Sequence, residues 1–246
     1  MNVLVVDIGG TNVKLWKTQS QEKTKFPSGK ELTPKLLVEG MKEAAGDWDF
    51  ERVSIGFPGE ILHNAPKTEP FNLGDGWVGF DFGMAFGKPV KVMNDACMQA
   101  LGSYEGGKML YLGLGTSMGT AFVHDRAIVP LSLGHLKFHR GETFEHYLSK
   151  KGLELHGEKR WRRAVFDAAM VWKQAFFADY VVLGGGNSKK LKELPEGCRL
   201  GSNFNAYIGG VRMWDDAHVQ TPAAKPPENP ELSVFPADEL PRAVEA

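Results

Sequence analysis

The chain has 246 residues, 29 basic against 30 acidic side chains and a formal charge of -1, enough to bury a real core as one large domain or two modest ones. The balanced charge excludes a basic nucleic-acid-binding surface over the whole molecule. Two cysteines in no paired spacing, Cys97 and Cys198, exclude a disulfide scaffold and a cysteine-rich zinc site.

No apolar run approaches membrane-spanning length, and the start leads directly into a strand with no signal peptide, so no membrane partner and a cytoplasmic location are expected. That strand, Val3–Val6, ends in Asp7; Gly9-Gly10-Thr11-Asn12 follow, then Val13 and Leu15 alternate with Lys14 and Trp16. The pattern is a β-hairpin with a glycine tip. Glycines let the backbone approach a ligand, and successive N–H groups in such a turn form a nest for an anion. Thr11 and Asn12 add donors, while Asp7 faces the same anion, a repulsion that a bridging Mg²⁺ relieves. The residues equally fit a tight hairpin in which Asp7 merely caps the turn.

Phe26-Pro27 marks the end of a third strand. Thr33-Pro34 opens a helix with Leu36, Leu37, Met41 and Ala44 on its apolar face, closed by Gly46. Arg52–Phe57 is a short strand running into the Pro58-Gly59 turn, and residues 60–87 are turn-rich and irregular. A long loop carrying Asn64, Asn72, Trp77 and Phe80 fits the lip of a polar cleft, or a surface loop pinned by its aromatics. Val90–Met93 is the next strand and delivers Asn94-Asp95 to a helix over Ala96–Tyr104. Met109–Leu114 and Gly119–Val123 form a second strand–turn–strand unit around Gly115-Thr116-Ser117, an echo of the first that signals internal duplication. A short helix is expected over Gly141–Lys151 and a long one over Glu158–Asp179, with a core stripe of Trp161, Val165, Ala168, Trp172 and Phe176. Tyr180–Leu183 is a strand ending in Gly184-Gly185-Gly186-Asn187; a helix begins at Ser188 and a last one covers Asn203–Trp214. From Thr221 the chain is Pro-rich and reads as a disordered or loosely docked tail.

One glycine turn at a strand end is a weak signal. Three of them, with Asn94-Asp95 between the first two, would bracket a chain of phosphates and, at the third, a flat ligand such as adenine. The chain has no Walker-type phosphate loop, and Gly113-x-Gly115-x-x-x-Gly119 is not a dinucleotide fingerprint.

The ordered motifs resemble the actin-like sugar kinases of the ROK group, nearest to its polyphosphate glucokinase branch. They are Asp7–Lys14, Gly56-Phe-Pro-Gly59, Asn72-Leu with Trp77-Val-Gly79, Asn94-Asp95-Ala96, Leu114–Gly119, Gly134-His135 and Leu183–Lys190, over roughly residues 1–213. The resemblance implies an α/β protein of two actin-like (ribonuclease-H-like) domains, 1–93 and 94–218, with the active site in the cleft between them and a Pro-rich tail over 219–246. It implies phosphoryl transfer from ATP or polyphosphate to a hexose hydroxyl, with Asp95 as general base and Mg²⁺ held near Asp7, through water. Pro58, Gly59, Asn72, Asn94 and His135 would bind the sugar. The turns at Gly9, Gly10, Thr11 and Asn12 and at Gly115, Thr116 and Ser117 would bind phosphates with Lys14, ahead of Lys189 and Lys190. The turn at Gly184, Gly185, Gly186 and Asn187 would take the nucleoside end. A homodimer is common among relatives. Zinc-bearing relatives have a cysteine cluster after Gly-His; this chain has none, so no structural zinc is expected. Ser132 replaces a glutamate that grips sugar hydroxyls in the family, with Glu142 and Glu145 as substitutes, so the acceptor is open. The rival readings are a non-catalytic sugar or nucleotide sensor on the same fold and a kinase for a non-glucose acceptor. The resembling sensors carry a DNA-binding helix-turn-helix before the first strand, for which a strand starting at residue 3 leaves no room.

Overall fold

The structure, a computed structural model, describes residues 2–18, 20–125 and 127–215. The expected tail, 219–246, lies outside the described residues. The first half runs β1 (Val3–Ile8), β2 (Asn12–Lys17), β3 (Lys23–Pro27), α1 (Pro34–Ala45), β4 (Arg52–Phe57), a small hairpin of β5 (Ile61–Leu62) and β6 (Ala65–Pro66), α2 (Phe82–Phe86) and β7 (Val90–Asn94). The second runs α3 (Asp95–Ser103), β8 (Lys108–Leu114), β9 (Met118–His124), β10 (Ala127–Leu131), α4 (Phe144–Leu148), α5 (Lys150–Ala175), β11 (Tyr180–Gly184), β12 (Cys198–Leu200) and α6 (Asn205–Arg212).

The duplication is architectural. One sheet has the order β3-β2-β1-β4-β7, the other β10-β9-β8-β11-β12. Each begins as an antiparallel meander of three strands and continues with two parallel strands. Parallel strands are covered on both faces, which is why β1 and β11 read as nearly continuous apolar runs.

The helix α3 sits between the two sheets, packed on β9 and β8 of one and on β4 and β7 of the other. A Cβ on Gly119 of β9 would stand 2.6 Å from the Ala96 Cβ, so only glycine lets helix and strand approach this closely. α6 packs on α3 and returns to β1 and β4 of the first sheet. There the fully buried Ser54 donates to the Gly210 carbonyl at 2.5 Å and accepts from the Trp214 indole at 2.8 Å.

Several elements differ from expectation. α1 turns Leu37, Met41 and Ala45 inward, while Leu36 is 47% exposed. The expected helix over Gly141–Lys151 is only α4, ended by Ser149, whose hydroxyl caps α5 through the Gly152 amide. α5 starts earlier than expected and kinks at Gly157 (φ 75). After the third glycine turn there is a single 3-10 turn, Gly186–Lys190, in place of a helix. Within 60–87, Trp77 is fully buried against Phe57, and its amide donates to the Glu69 carboxylate. Among the described residues no helix is long and apolar enough to cross a membrane.

Ser54→Ala removes one donor and one acceptor at a buried junction between α6 and the first sheet. We expect a loss of about 1–3 kcal/mol in urea unfolding, with an unchanged denaturant slope.

Candidate functional site

β7 and α3 meet at Asn94-Asp95, and the reason is local. The Asn94 side chain caps α3, its Oδ1 accepting from the Ala96 and Cys97 amides at 3.0 and 3.2 Å. Its Nδ2 donates to the Gly59 carbonyl at 3.1 Å, which ties the cap to the Pro58-Gly59 turn. Asp95 occupies the first helical turn, where its Oδ1 accepts from the Ala96 amide at 2.8 Å. Asn94 therefore performs the structural cap and also borders the cleft.

The cleft has a volume of about 1560 Å³. It brings together Gly9 and Gly10 of the first turn, Pro58-Gly59, Asn72, Asn94, Asp95, Thr116 and Ser117 of the second turn, and His135. Residues from both halves thus share one cavity. The first turn is braced by a residue outside the expected set: Ser28 donates through Oγ to the Gly9 carbonyl and through its amide to the Thr11 carbonyl. Asn72 lies against that turn, since a Cβ on Gly10 would be 2.5 Å from its Nδ2. The second turn is held by the Lys150 amide at the start of α5, which donates to the Gly115 carbonyl at 2.8 Å.

Asp7 is nearly buried at the end of β1, and its Oδ2 is 3.0 Å from the Lys14 ammonium one strand over. Asp95 feels this pair. Burial pushes its carboxyl up to about 7, and the Asp7 charge adds to the rise; the Ala96 amide and Lys14 pull the other way. Beneath them the buried Tyr111 hydroxyl donates to Gln99 Oε1 at 2.6 Å, and burial, then the Asp95 and Asp7 charges, raise its pKa.

Other expected residues sit elsewhere. Asp7, Thr11, Asn12, Lys14 and Gly115 flank the cavity without lining it, and neither do Gly184–Asn187. The third turn instead leans on the second, Asn187 Nδ2 lying 3.4 Å from the Gly115 carbonyl. Lys190 is paired with Glu158 at 3.4 Å. Ser132 borders the cleft, and so does Glu145, whose Oε2 comes within 3.1 Å of the place a Cβ on Gly134 would take. Glu142, the other candidate substitute, faces His146 at 3.5 Å. Thr143 caps α4 and so marks the helix start in the sequence; that Glu145 faces the cleft depends on tertiary packing.

No protein-family profile matches the chain. It is 23% identical over 206 residues to the polyphosphate glucokinase of Mycobacterium tuberculosis (strain H37Rv), over 75% of this chain and 77% of that one. Among solved structures it is similar to the inorganic polyphosphate/ATP-glucomannokinase of Arthrobacter sp. strain KM, at a TM-score of 0.70 and 23% identity over 86% of this chain and 97% of that one. A ROK family glucokinase of Streptomyces griseus, solved with glucose and AMPPNP, superposes at a TM-score of 0.66 and 15% identity over 87% and 99%. The chain is similar in sequence to polyphosphate glucokinases and has the actin-like α/β fold of the ROK sugar kinases.

The raised Asp95 carboxyl carries a sign that stability measurements read. Its folded pKa lies above its unfolded one, so the stability it contributes at low pH is lost as pH rises from about 4 through about 7. Asp95→Asn removes that loss. The variant should exceed the parent protein by roughly 1–3 kcal/mol in unfolding at about pH 8, and the gap should close at about pH 4.

Proposed function

We propose that the protein is a sugar kinase that moves a phosphoryl group from ATP or inorganic polyphosphate to a hexose hydroxyl. The observation that carries this is the place of Asp95, at a helix start in a cleft that two glycine turns border, where burial and the Asp7 charge push its carboxyl up to about 7. The names of the similar proteins, polyphosphate glucokinase and polyphosphate/ATP-glucomannokinase, support the same chemistry and both donors.

A sugar hydroxyl is a poor nucleophile until its proton has somewhere to go. In this reading the acceptor lies against the Pro58-Gly59 backbone, Asn72, His135 and the Asn94 hydrogen not given to Gly59. Asp95 takes the hydroxyl proton as the new P–O bond forms and the bond to the donor's bridging oxygen breaks. Such a base contributes roughly 10²–10⁴-fold, the rest coming from positioning and charge neutralisation. The two glycine turns, with Lys14, hold the donor phosphates through the amides they leave free, the Gly9 and Gly115 amides being engaged by the Asn12 and Ser117 carbonyls. For ATP, Gly184–Asn187 takes the nucleoside side.

Asp7 offers the hard carboxylate oxygen that Mg²⁺ prefers. Mg²⁺ dehydrates reluctantly, so it would keep mostly water and phosphate oxygens around it. When bound through Asp7, Mg²⁺ would supply neutralising charge to the donor phosphates.

The acceptor grip is where this chain parts from the resemblance. Serine at 132 is too short for the work of a glutamate, and Glu145 brings a carboxylate to the same wall of the cleft. We assign acceptor binding to Glu145 with His135.

The test is phosphoryl transfer with Mg²⁺, ATP or polyphosphate, and a panel of hexoses. Transfer to a hexose should fall by about 10²–10⁴ in kcat in Asp95→Ala, with the donor still bound. In the parent protein kcat/KM should rise with pH through about 7, as the base ionises. Full activity in Asp95→Ala removes the base assignment, and no transfer to any hexose removes the kinase reading. Separately, Ser132→Glu should lower the KM for glucose by roughly 10–100-fold, the effect of one added charged hydrogen bond, as read in the same assay.

A further inference from the structure

Glu145 reaches the cleft from α4, a helix of only five residues. So short a helix does not hold itself in water, because nucleation costs more than one turn returns. Its packing holds it. Phe144 and Leu148 enter the hydrophobic core beneath the second sheet, with the Phe144 ring 4.3 Å from Trp172. Phe138, on the hairpin leading into the helix, stacks on Phe144 at 4.3 Å and meets Tyr147 edge-on at 5.3 Å. Tyr147 in turn lies flat on His156 of α5, ring centroids 4.4 Å apart and planes 6° apart.

Helix geometry connects this stack to the cleft. Residues 145 and 147 are two apart, so their side chains leave the helix about 200° from one another. Clamping Tyr147 against α5 therefore turns Glu145 toward the opposite side, where Gly134 and the cleft lie. Neither ring lines the cleft.

We propose that the Tyr147–His156 stack is a positioning device that aims Glu145 at the acceptor and so sets acceptor affinity from outside the cleft. The proposal rests on the sugar-kinase reading and deepens it.

The stack also has a preferred protonation state. His156 Nε2 is buried without a hydrogen-bond partner, so an added proton there has no acceptor. Burial, then His146 at 5.3 Å on α4 and Arg160 on the next turn of α5, hold the His156 pKa below its ordinary value. Around them, Glu142 lies 3.5 Å from His146, and the His139 ring 6.1 Å from Tyr147. Charging His156 would place an unpaired proton at this buried nitrogen, so acid is expected to loosen the stack and, with it, the hold on Glu145. This effect falls on acceptor binding, whereas protonation of Asp95 falls on turnover.

The experiment compares the full chain with His156→Ala and His156→Phe, measuring kcat and both KM values at about pH 5.5 and about pH 8 with the hexose that the parent protein uses. His156→Ala should raise the acceptor KM by about 5–10-fold with kcat and donor KM within about twofold. His156→Phe, which keeps a flat ring and cannot be charged, should restore that KM and lack the acid-induced rise of the parent protein. His135 is present in all three proteins, so the contrast isolates His156. An unchanged acceptor KM in His156→Ala overturns the proposal, as does a common loss in kcat and both KM values that His156→Phe does not rescue. Should His156→Ala not fold, an equal acid-induced rise in the parent protein and His156→Phe overturns it alone. A parent protein without transfer to any hexose overturns the kinase reading first and this proposal with it.

Discussion

Two carboxylates close enough to feel one another set the character of this site. Asp7 comes from the end of β1 and Asp95 from the junction of β7 with α3. Asp7 is kept ionic company by Lys14, at 3.0 Å. Asp95 has no comparable partner; burial and the Asp7 charge together raise it, and the Ala96 amide only partly offsets them. The outcome is one carboxylate tied to a lysine and another poised near neutrality. Such a division suits a site in which one group meets charge and the other meets a proton.

The rest of the structure serves this juxtaposition. Each sheet is a meander with two parallel strands added, and each ends its first hairpin in a glycine turn. The turns come from equivalent places in the two halves, so duplication puts two glycine turns on one cleft. α3 holds the halves together at short range, through Gly119 against Ala96, and α6 crosses back to fix the arrangement through Ser54 and Gly210. The edge of β7 is covered by the Asn64 side chain, which accepts from the Val92 amide at 2.6 Å and donates to the Val90 carbonyl at 2.9 Å. A strand edge that could pair with another chain is thereby closed beside Asp95.

Much of this was legible in the sequence because it rests on local chemistry. Glycine runs after apolar strands locate the three turns, and Thr33-Pro34 starts α1 as a cap and first-turn proline should. Asn94, expected to bind the sugar, proves to be the cap of α3. What was not legible depends on packing between distant segments. Leu36 and Leu37 are equally apolar, and only the sheet beneath α1 decides that the second is buried. The β5–β6 hairpin turns through His63 and Asn64, both at positive φ, without the glycine that would have announced it. The third turn is a turn as read, yet it leans on Gly115 and does not line the cleft. Glu145 could be named as a substitute for the missing glutamate, but its direction is decided by rings on α5.

Burial and the Asp7 charge should make Asp95 titrate near neutrality. Infrared difference titration of the full chain, with Asp95→Asn as the subtraction reference, reads that directly. A carboxyl band, absent from Asp95→Asn, should ionise at about 7. A band that ionises near the ordinary carboxylate value of about 4 would contradict it, and would leave Asp95 as a helix-start residue with no special readiness to take a proton.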